Sequence, residues 1–168
     1  LFRADHVGSL LRPDALRQAF RAYGEGRIDG AAFSAVQDDA IRDAVQLQES
    51  IGLKSITDGE FRRASYWSHF VDGIDGLAVA TARFDFRNDA GHSINFLAPH
   101  VVGPLKQKGP LSGPEFDFLK ATTRHTPKVT LPSPPTLHFW DQVGSVERAG
   151  YADTDAYLGD VAHVFRTE

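Results

Sequence analysis

A chain of 168 residues, 42% hydrophobic and 24% charged, has the length and composition of one core-bearing globular domain. Its net charge of −4 argues against a basic nucleic-acid surface, and it contains no cysteine for a disulfide or a thiolate. No apolar run approaches the roughly 18 residues that cross a bilayer, and no signal-peptide pattern opens the chain, so no membrane is expected and the cytoplasm is the expected compartment.

Phe2 to Ser9 reads as a short strand running into a Gly-Ser turn. Pro13 suits the first turn of a helix, predicted from Asp14 to about Tyr23. A second helix is predicted from Asp29-Gly30 to about Ile51, with Asp29 as its N-cap. Phe33, Val36, Ala40, Ile41, Ala44, Val45, Leu47 and Ile51 recur at three- and four-residue spacing, and Asp38, Asp39, Arg42, Asp43, Gln46 and Glu49 take the other side. Leu53 to Ile56 reads as the second strand, parallel to the first across a helical crossover.

Thr57-Asp58-Gly59-Glu60 leaves that strand sharply, because Gly59 accepts backbone angles that a Cβ resists. Glu60 is thereby offered at a strand exit, with Arg62 and Arg63 behind it. Two readings stay open for it, a solvated turn and a carboxylate that holds a cation such as a substrate ammonium.

Ser65 to Val71 reads as a short aromatic helix. Residues 77–102 read as an inserted β-hairpin with a long connection around Asn88–Ser93. A helix is predicted from Pro114 to about Thr123, and a third buried strand from Lys128 to Leu131, ending in Pro132-Ser133-Pro134-Pro135. Thr136 to Trp140 begins a helical turn. Thr154 to Glu168 reads as a last helix with Ala156, Tyr157, Val161, Val164 and Phe165 on its apolar face. This order predicts an α/β fold with a parallel sheet.

Gly8-Ser9, Asp58-Gly59-Glu60 and Ser133 with Trp140 fall at three strand exits, the ends at which parallel α/β folds bind ligands. The seven histidines show no zincin spacing, so a complete zinc site is not expected from these residues alone. Among them, His6 lies beside Gly8-Ser9 and reads as a hydrogen-bonded pocket residue. There is no Gly-x-Gly-x-x-Gly or Walker-type loop for nucleotide phosphates, and no Gly-x-Ser-x-Gly elbow for a serine hydrolase.

Three motifs appear in order: His6-Val7-Gly8-Ser9-Leu10-Leu11-Arg12-Pro13, then Asp58-Gly59-Glu60 with Arg62-Arg63, then Leu131-Pro132-Ser133-Pro134 with Thr136 and Trp140. Together they resemble the catalytic domain of cobalamin-independent methionine synthase, and its short single-domain relatives above all. The resemblance implies a (β/α)8 TIM barrel of which residues 1–168 supply the first three strands, as one incomplete domain with the hairpin inserted at about 77–102. The missing initiator methionine agrees with a piece of a longer protein.

The resemblance also implies methyl transfer from 5-methyltetrahydrofolate, or a related donor, to the thiol of homocysteine. Zinc would hold the thiolate that attacks. Val7, Gly8 and Ser9 would bind the amino-acid carboxylate, Glu60 the amino group, and Trp140 the pterin of the methyl donor. His6 and Ser133 would border the pocket. The family's zinc ligands, a His-x-Cys pair, a glutamate and a later cysteine, would lie beyond Glu168. The expected partners are therefore a small thiol and a methyl donor, and a homo-oligomer stays open. Two alternatives also stay open: a zinc-dependent alkyltransferase for another small thiol, and a non-catalytic binding domain.

Overall fold

The computed structural model describes residues 6–82, 86–140 and 144–168. The chain forms two compact units, one of residues 1–66 with 112–130 and one of residues 67–111 with 131–168. Both are mixed α/β.

In the first unit, α1 (Asp14–Gly24) and α2 (Gly30–Ser50) pack on each other. The α2 helix starts where expected, and Asp29 accepts a hydrogen bond from Ala32 N at 2.8 Å. That bond satisfies one of the amides a helix start leaves unpaired. The buried face of α2 is Gln37, Ala40, Ile41, Ala44, Val45 and Gln48. Leu47 and Ile51, expected on the apolar face, are exposed. The three- and four-residue steps from Ile41 reach Ala44, Val45 and Gln48; Leu47 falls at the edge of that stripe, and Ile51 lies past the last turn as the C-cap. The core is Leu16, Ala40, Ile41, Ala44, Val45, Ile56, Phe61 and Leu119.

Strand β1 (Ser55–Ile56) enters this core two residues later than expected. Its predicted parallel partner is Phe2–Ser9. Residues 2–5 of that prediction lie outside the described residues, and His6–Ser9 form no strand. Their polar groups go to the turn after β1: Thr57 Oγ1 donates to Gly8 O at 2.9 Å, and Leu10 N to Gly59 O at 3.1 Å.

Among the described residues β1 pairs in parallel with a strand at Thr126–Pro127, Ser55 opposite Thr126 and Ile56 opposite Pro127. The bonds from Thr126 N to Lys54 O and from Lys128 N to Ile56 O complete this ladder. The strand expected at Lys128–Leu131 is therefore displaced towards the N-terminus. Because β1 ends at Ile56 and the chain turns at 57–60, Val129 and Thr130 run past the end of their partner. A helix at Gly113–Thr122, close to its expected span, precedes the pair.

In the second unit the aromatic helix is α3, Ser68–Gly73, later than the expected Ser65–Val71. Trp67 and Phe70 are buried, whereas Tyr66, of the first unit, is exposed. The α3 helix runs into β2 (Ile74–Thr81), which pairs antiparallel with a long strand at Leu97–Gln107. Two short strands, Phe86–Arg87 and Ser93–Ile94, pair between them. The antiparallel feature expected at 77–102 thus extends from 74 to 107; residues 83–85 of it lie outside the described residues. Thr136–Phe139 and Ser145–Arg148 are short helical turns. The final helix, Thr154–Thr167, is capped by Asp153, which accepts from Ala156 N at 2.8 Å, and it buries Tyr157, Val161 and Val164. Tyr157 Oη donates to Leu137 O at 2.8 Å, so its hydroxyl is satisfied inside the core.

Among the described residues no helix is long and apolar enough to cross a membrane.

The burial of α2 gives a direct check. Ile41→Ala is expected to lower stability by about 2–5 kcal/mol, as truncation in a packed core does. Ile51→Ala is expected to stay within about 0.5 kcal/mol. Urea unfolding measures both; comparable losses would mean that the helix buries a different face.

Candidate substrate-binding site

The first two motifs meet in the first unit. Four hydrogen bonds link 8–12 to 57–63 in step. Thr57 Oγ1 donates to Gly8 O, Ser9 Oγ to Glu60 Oε2 at 2.9 Å, Leu10 N to Gly59 O, and Arg12 Nη2 to Arg63 O at 2.5 Å. Residues some fifty positions apart are thereby placed side by side.

The turn itself is tightly determined. Gly59 has φ +71° and Glu60 has φ +58°, and Glu60 is the one non-glycine residue with positive φ among the described residues. A glutamate in the left-handed region is strained, and such residues persist only where the surroundings hold them. Asp58 Oδ1 accepts from Glu60 N at 2.9 Å, and Thr57 Oγ1 accepts from Gly59 N at 3.2 Å. Gln48, on the buried face of α2, braces the start of the turn. Its side chain donates to Thr57 O at 2.8 Å and accepts from Thr57 N at 2.9 Å.

The carboxylate of Glu60 is buried, only 5% of the residue being exposed. Oε1 accepts from Thr130 Oγ1 at 2.6 Å and lies 3.8 Å from Arg63 Nη1; Oε2 accepts from Ser9 Oγ. Arg63 is itself 2% exposed and is held by Glu115 Oε2, which accepts from Nε at 2.9 Å and from Nη2 at 2.6 Å. A buried charge is tolerated when it is paired and hydrogen-bonded, and this guanidinium is both. Asp58 and Glu115 complete the group. Burial pushes both carboxyls above the usual carboxylate range, partly offset by a backbone hydrogen bond from Glu60 for Asp58 and by Arg63 for Glu115.

The other expected site residues fall as follows. Gly8 is buried against this group: a Cβ on it would come within 2.2 Å of Thr130 Cγ2 and 3.1 Å of Glu60 Oε1. Val7 and Ser9 are exposed beside it. His6 is half-buried, and its Nε2 donates to Gln48 Oε1 at 2.6 Å. Ser133 and Trp140 belong to the second unit. Ser133 is exposed, and its hydroxyl lies 3.0 Å from that of Thr136. Trp140 is half-buried, with Phe96 and Phe139 set edge-to-face against it, each at 4.9 Å between ring centroids. Among the described residues no three His, Asp or Glu side chains gather to hold a metal ion. A zinc site takes about four N, S or O ligands. These residues do not supply that set.

A model of the family described as cobalamin-independent synthase, catalytic domain, matches residues 2–162. The chain belongs to the cobalamin-independent methionine synthase family. The relatives it matches are longer. The uncharacterized protein YxjH of Bacillus subtilis (strain 168) is 30% identical over 98% of this chain, which spans 43% of that protein. The 5-methyltetrahydropteroyltriglutamate–homocysteine methyltransferase of Aeromonas salmonicida is 31% identical over 80% of the chain and 17% of its own length. Among solved structures, the putative vitamin-B12 independent methionine synthase from Listeria monocytogenes aligns with a TM-score of 0.73 and 28% identity, over 99% of this chain and 46% of that one.

In this family member, sequence reasoning missed Gln48, Thr130 and Glu115. Gln48 carried a signal, since it lies on the stripe set by Ile41, Ala44 and Val45. Glu115 carried a weaker one, an acid beside the apolar Phe116, Phe118 and Leu119. Thr130 carried none.

Two outcomes test this geometry. Glu115→Ala leaves the Arg63 guanidinium buried without its main partner, and a loss of about 3–5 kcal/mol is expected in urea unfolding. The Asp58 carboxyl, raised by burial, takes its proton in the folded chain at a pH where the unfolded chain is still ionised. Its contribution to stability therefore grows as pH falls through the raised value towards the ordinary value of about 3.9. The stability of the wild type relative to Asp58→Asn is expected to rise over that fall; a gap independent of pH would contradict the burial.

Proposed function

We propose that this chain carries the amino-acid-binding part of a methyltransferase that passes a methyl group from 5-methyltetrahydrofolate, or a related donor, to the thiol of homocysteine. One observation carries the reading: Ser9 and Glu60 are neighbours, 2.9 Å apart. An α-amino acid holds its ammonium and its carboxylate on one carbon, so the groups that bind them must also be neighbours. Glu60 is the anion for the ammonium. A carboxylate offers about four lone-pair positions, and the bonds from Thr130 and Ser9 leave it capacity for that cation. The backbone N–H groups of the Val7-Gly8-Ser9 turn are the donors for the carboxylate, while the one hydrogen of the Ser9 hydroxyl goes to Glu60 and ties the two halves together. His6 braces this turn.

The strain at Glu60 supports the same reading. A left-handed glutamate costs on the order of 1–3 kcal/mol, and a solvated turn gains nothing from it. Held in place by Asp58, Arg63 and Thr130, the carboxylate is set before the ligand arrives, which reduces the entropy lost on binding. In the reaction a C–S bond forms as the donor's C–N bond breaks, and the thiol proton passes to the released folate. These residues orient the thiol substrate; the groups that activate its sulfur come from outside this chain, zinc and its ligands among them. Trp140, in its aromatic group, is assigned to the methyl donor. Residues 1–168 are read as the first part of a single (β/α)8 barrel domain with an inserted hairpin. The likeness to the Listeria structure supports this, as the chain covers 46% of it.

Glu60→Ala in the full-length protein tests the proposal. Removing one member of a buried charge pair costs about 3–5 kcal/mol, so homocysteine binding is expected to weaken by two orders of magnitude or more while zinc content stays unchanged. Titration calorimetry and metal analysis read the two quantities. Unchanged homocysteine affinity would overturn the assignment, and a panel of small thiols and methyl donors would then identify another substrate pair.

A further inference from the structure

The hydroxyl of Thr130 sits between two buried charges. Arg63 Nη1 lies 3.0 Å from Thr130 Oγ1, and Thr130 Oγ1 lies 2.6 Å from Glu60 Oε1. A guanidinium can only donate. The oxygen of Thr130 therefore accepts from Arg63, and its single hydrogen points to Glu60. Both ends of this relay are fixed. Glu115 Oε2 grips Nε and Nη2 of Arg63, which sets the plane of the guanidinium. The methyl group of Thr130 fills the space that a Cβ on Gly8 would take, at 2.2 Å. A β-branched side chain has few χ1 choices, and here one branch is seated against Gly8 while the other bridges Arg63 and Glu60.

We infer that Thr130 is a positioning residue for the amino-acid subsite: its hydroxyl, directed by the Arg63–Glu115 pair, sets the orientation of the Glu60 carboxylate that receives the substrate ammonium. The inference rests on the reading of Glu60 given above. Thr130 touches no substrate on this reading; it acts through Glu60. Its loss should therefore be felt only by ligands that carry the amino group.

The test uses the full-length protein and two thiols, homocysteine and its desamino analogue 4-mercaptobutyrate, with affinities from titration calorimetry. Thr130→Val keeps the shape and the methyl seat and removes the hydroxyl. It is expected to weaken homocysteine by about 10-fold or more, the usual worth of a hydrogen bond to a charged group, and to leave 4-mercaptobutyrate unchanged within about twofold. Thr130→Ser keeps the hydroxyl and is expected to restore homocysteine binding. If Val prevents folding as judged by circular dichroism, Thr130→Ala takes its place. Equal weakening of both thiols, or none, overturns the positioning role. Glu60→Ala measured alongside separates the two levels. If it weakens homocysteine and Thr130→Val does not, only the positioning role falls. If Glu60→Ala changes nothing, both fall.

Discussion

A guanidinium almost wholly removed from water is the constraint around which the first unit is arranged. Moving an ion of that size out of water costs several kcal/mol even after relaxation. Arg63 recovers this through Glu115, through Thr130 and through its proximity to Glu60. Each partner comes from a different stretch of chain, so satisfying the one charge fixes where the helix bearing Glu115, the segment after Pro127 and the turn after β1 must lie. Replacing such a cluster by apolar side chains is often neutral or favourable for stability. Whatever it contributes to stability, the cluster fixes where the Glu60 carboxylate lies.

The same cluster has an uneven charge count. Asp58, Glu60 and Glu115 are all under 9% exposed, and Arg63 is the one comparably buried cation beside them. Burial answers part of the imbalance by holding the Asp58 and Glu115 carboxyls towards their neutral forms. Glu60 differs from both in having two hydroxyl donors, with the Arg63 guanidinium nearby. Division of labour among like groups follows from their surroundings rather than from residue type.

Much of this was legible in the sequence, and the limits are physical. Local chemistry fixed the helices: Asp29 caps where expected, and the apolar period located α2 and the final helix. The Gly59 turn, with Glu60 in it, was visible for the same reason, since glycine next to an acid at a strand exit is a local signal. The strands were read less well. Whether Val129 and Thr130 pair depends on where β1 stops, and no local feature of Lys128 to Leu131 records that. The face of α2 was misjudged at Leu47, which lies at the edge of the buried stripe, and at Ile51, which lies past the helix end; Gln48, polar yet buried, is held by its bonds to Thr57 across nine residues. Thr130 and Glu115 gain meaning only from partners 52 to 70 residues away.

Those separations bear on how the site comes into being. The bonds from Ser9 to Glu60, Arg63 to Glu115 and Thr130 to Glu60 close loops of 51, 52 and 70 residues. Loop-closure entropy must be met before such contacts return anything, and contacts of this range form late and together. A nascent or partly unfolded chain can hold α1 and α2, whose hydrogen bonds are local, without presenting an organised carboxylate. An ordered carboxylate at this turn is thereby confined to chains that have finished folding, and its hydrogen bonds become a reporter of the native state.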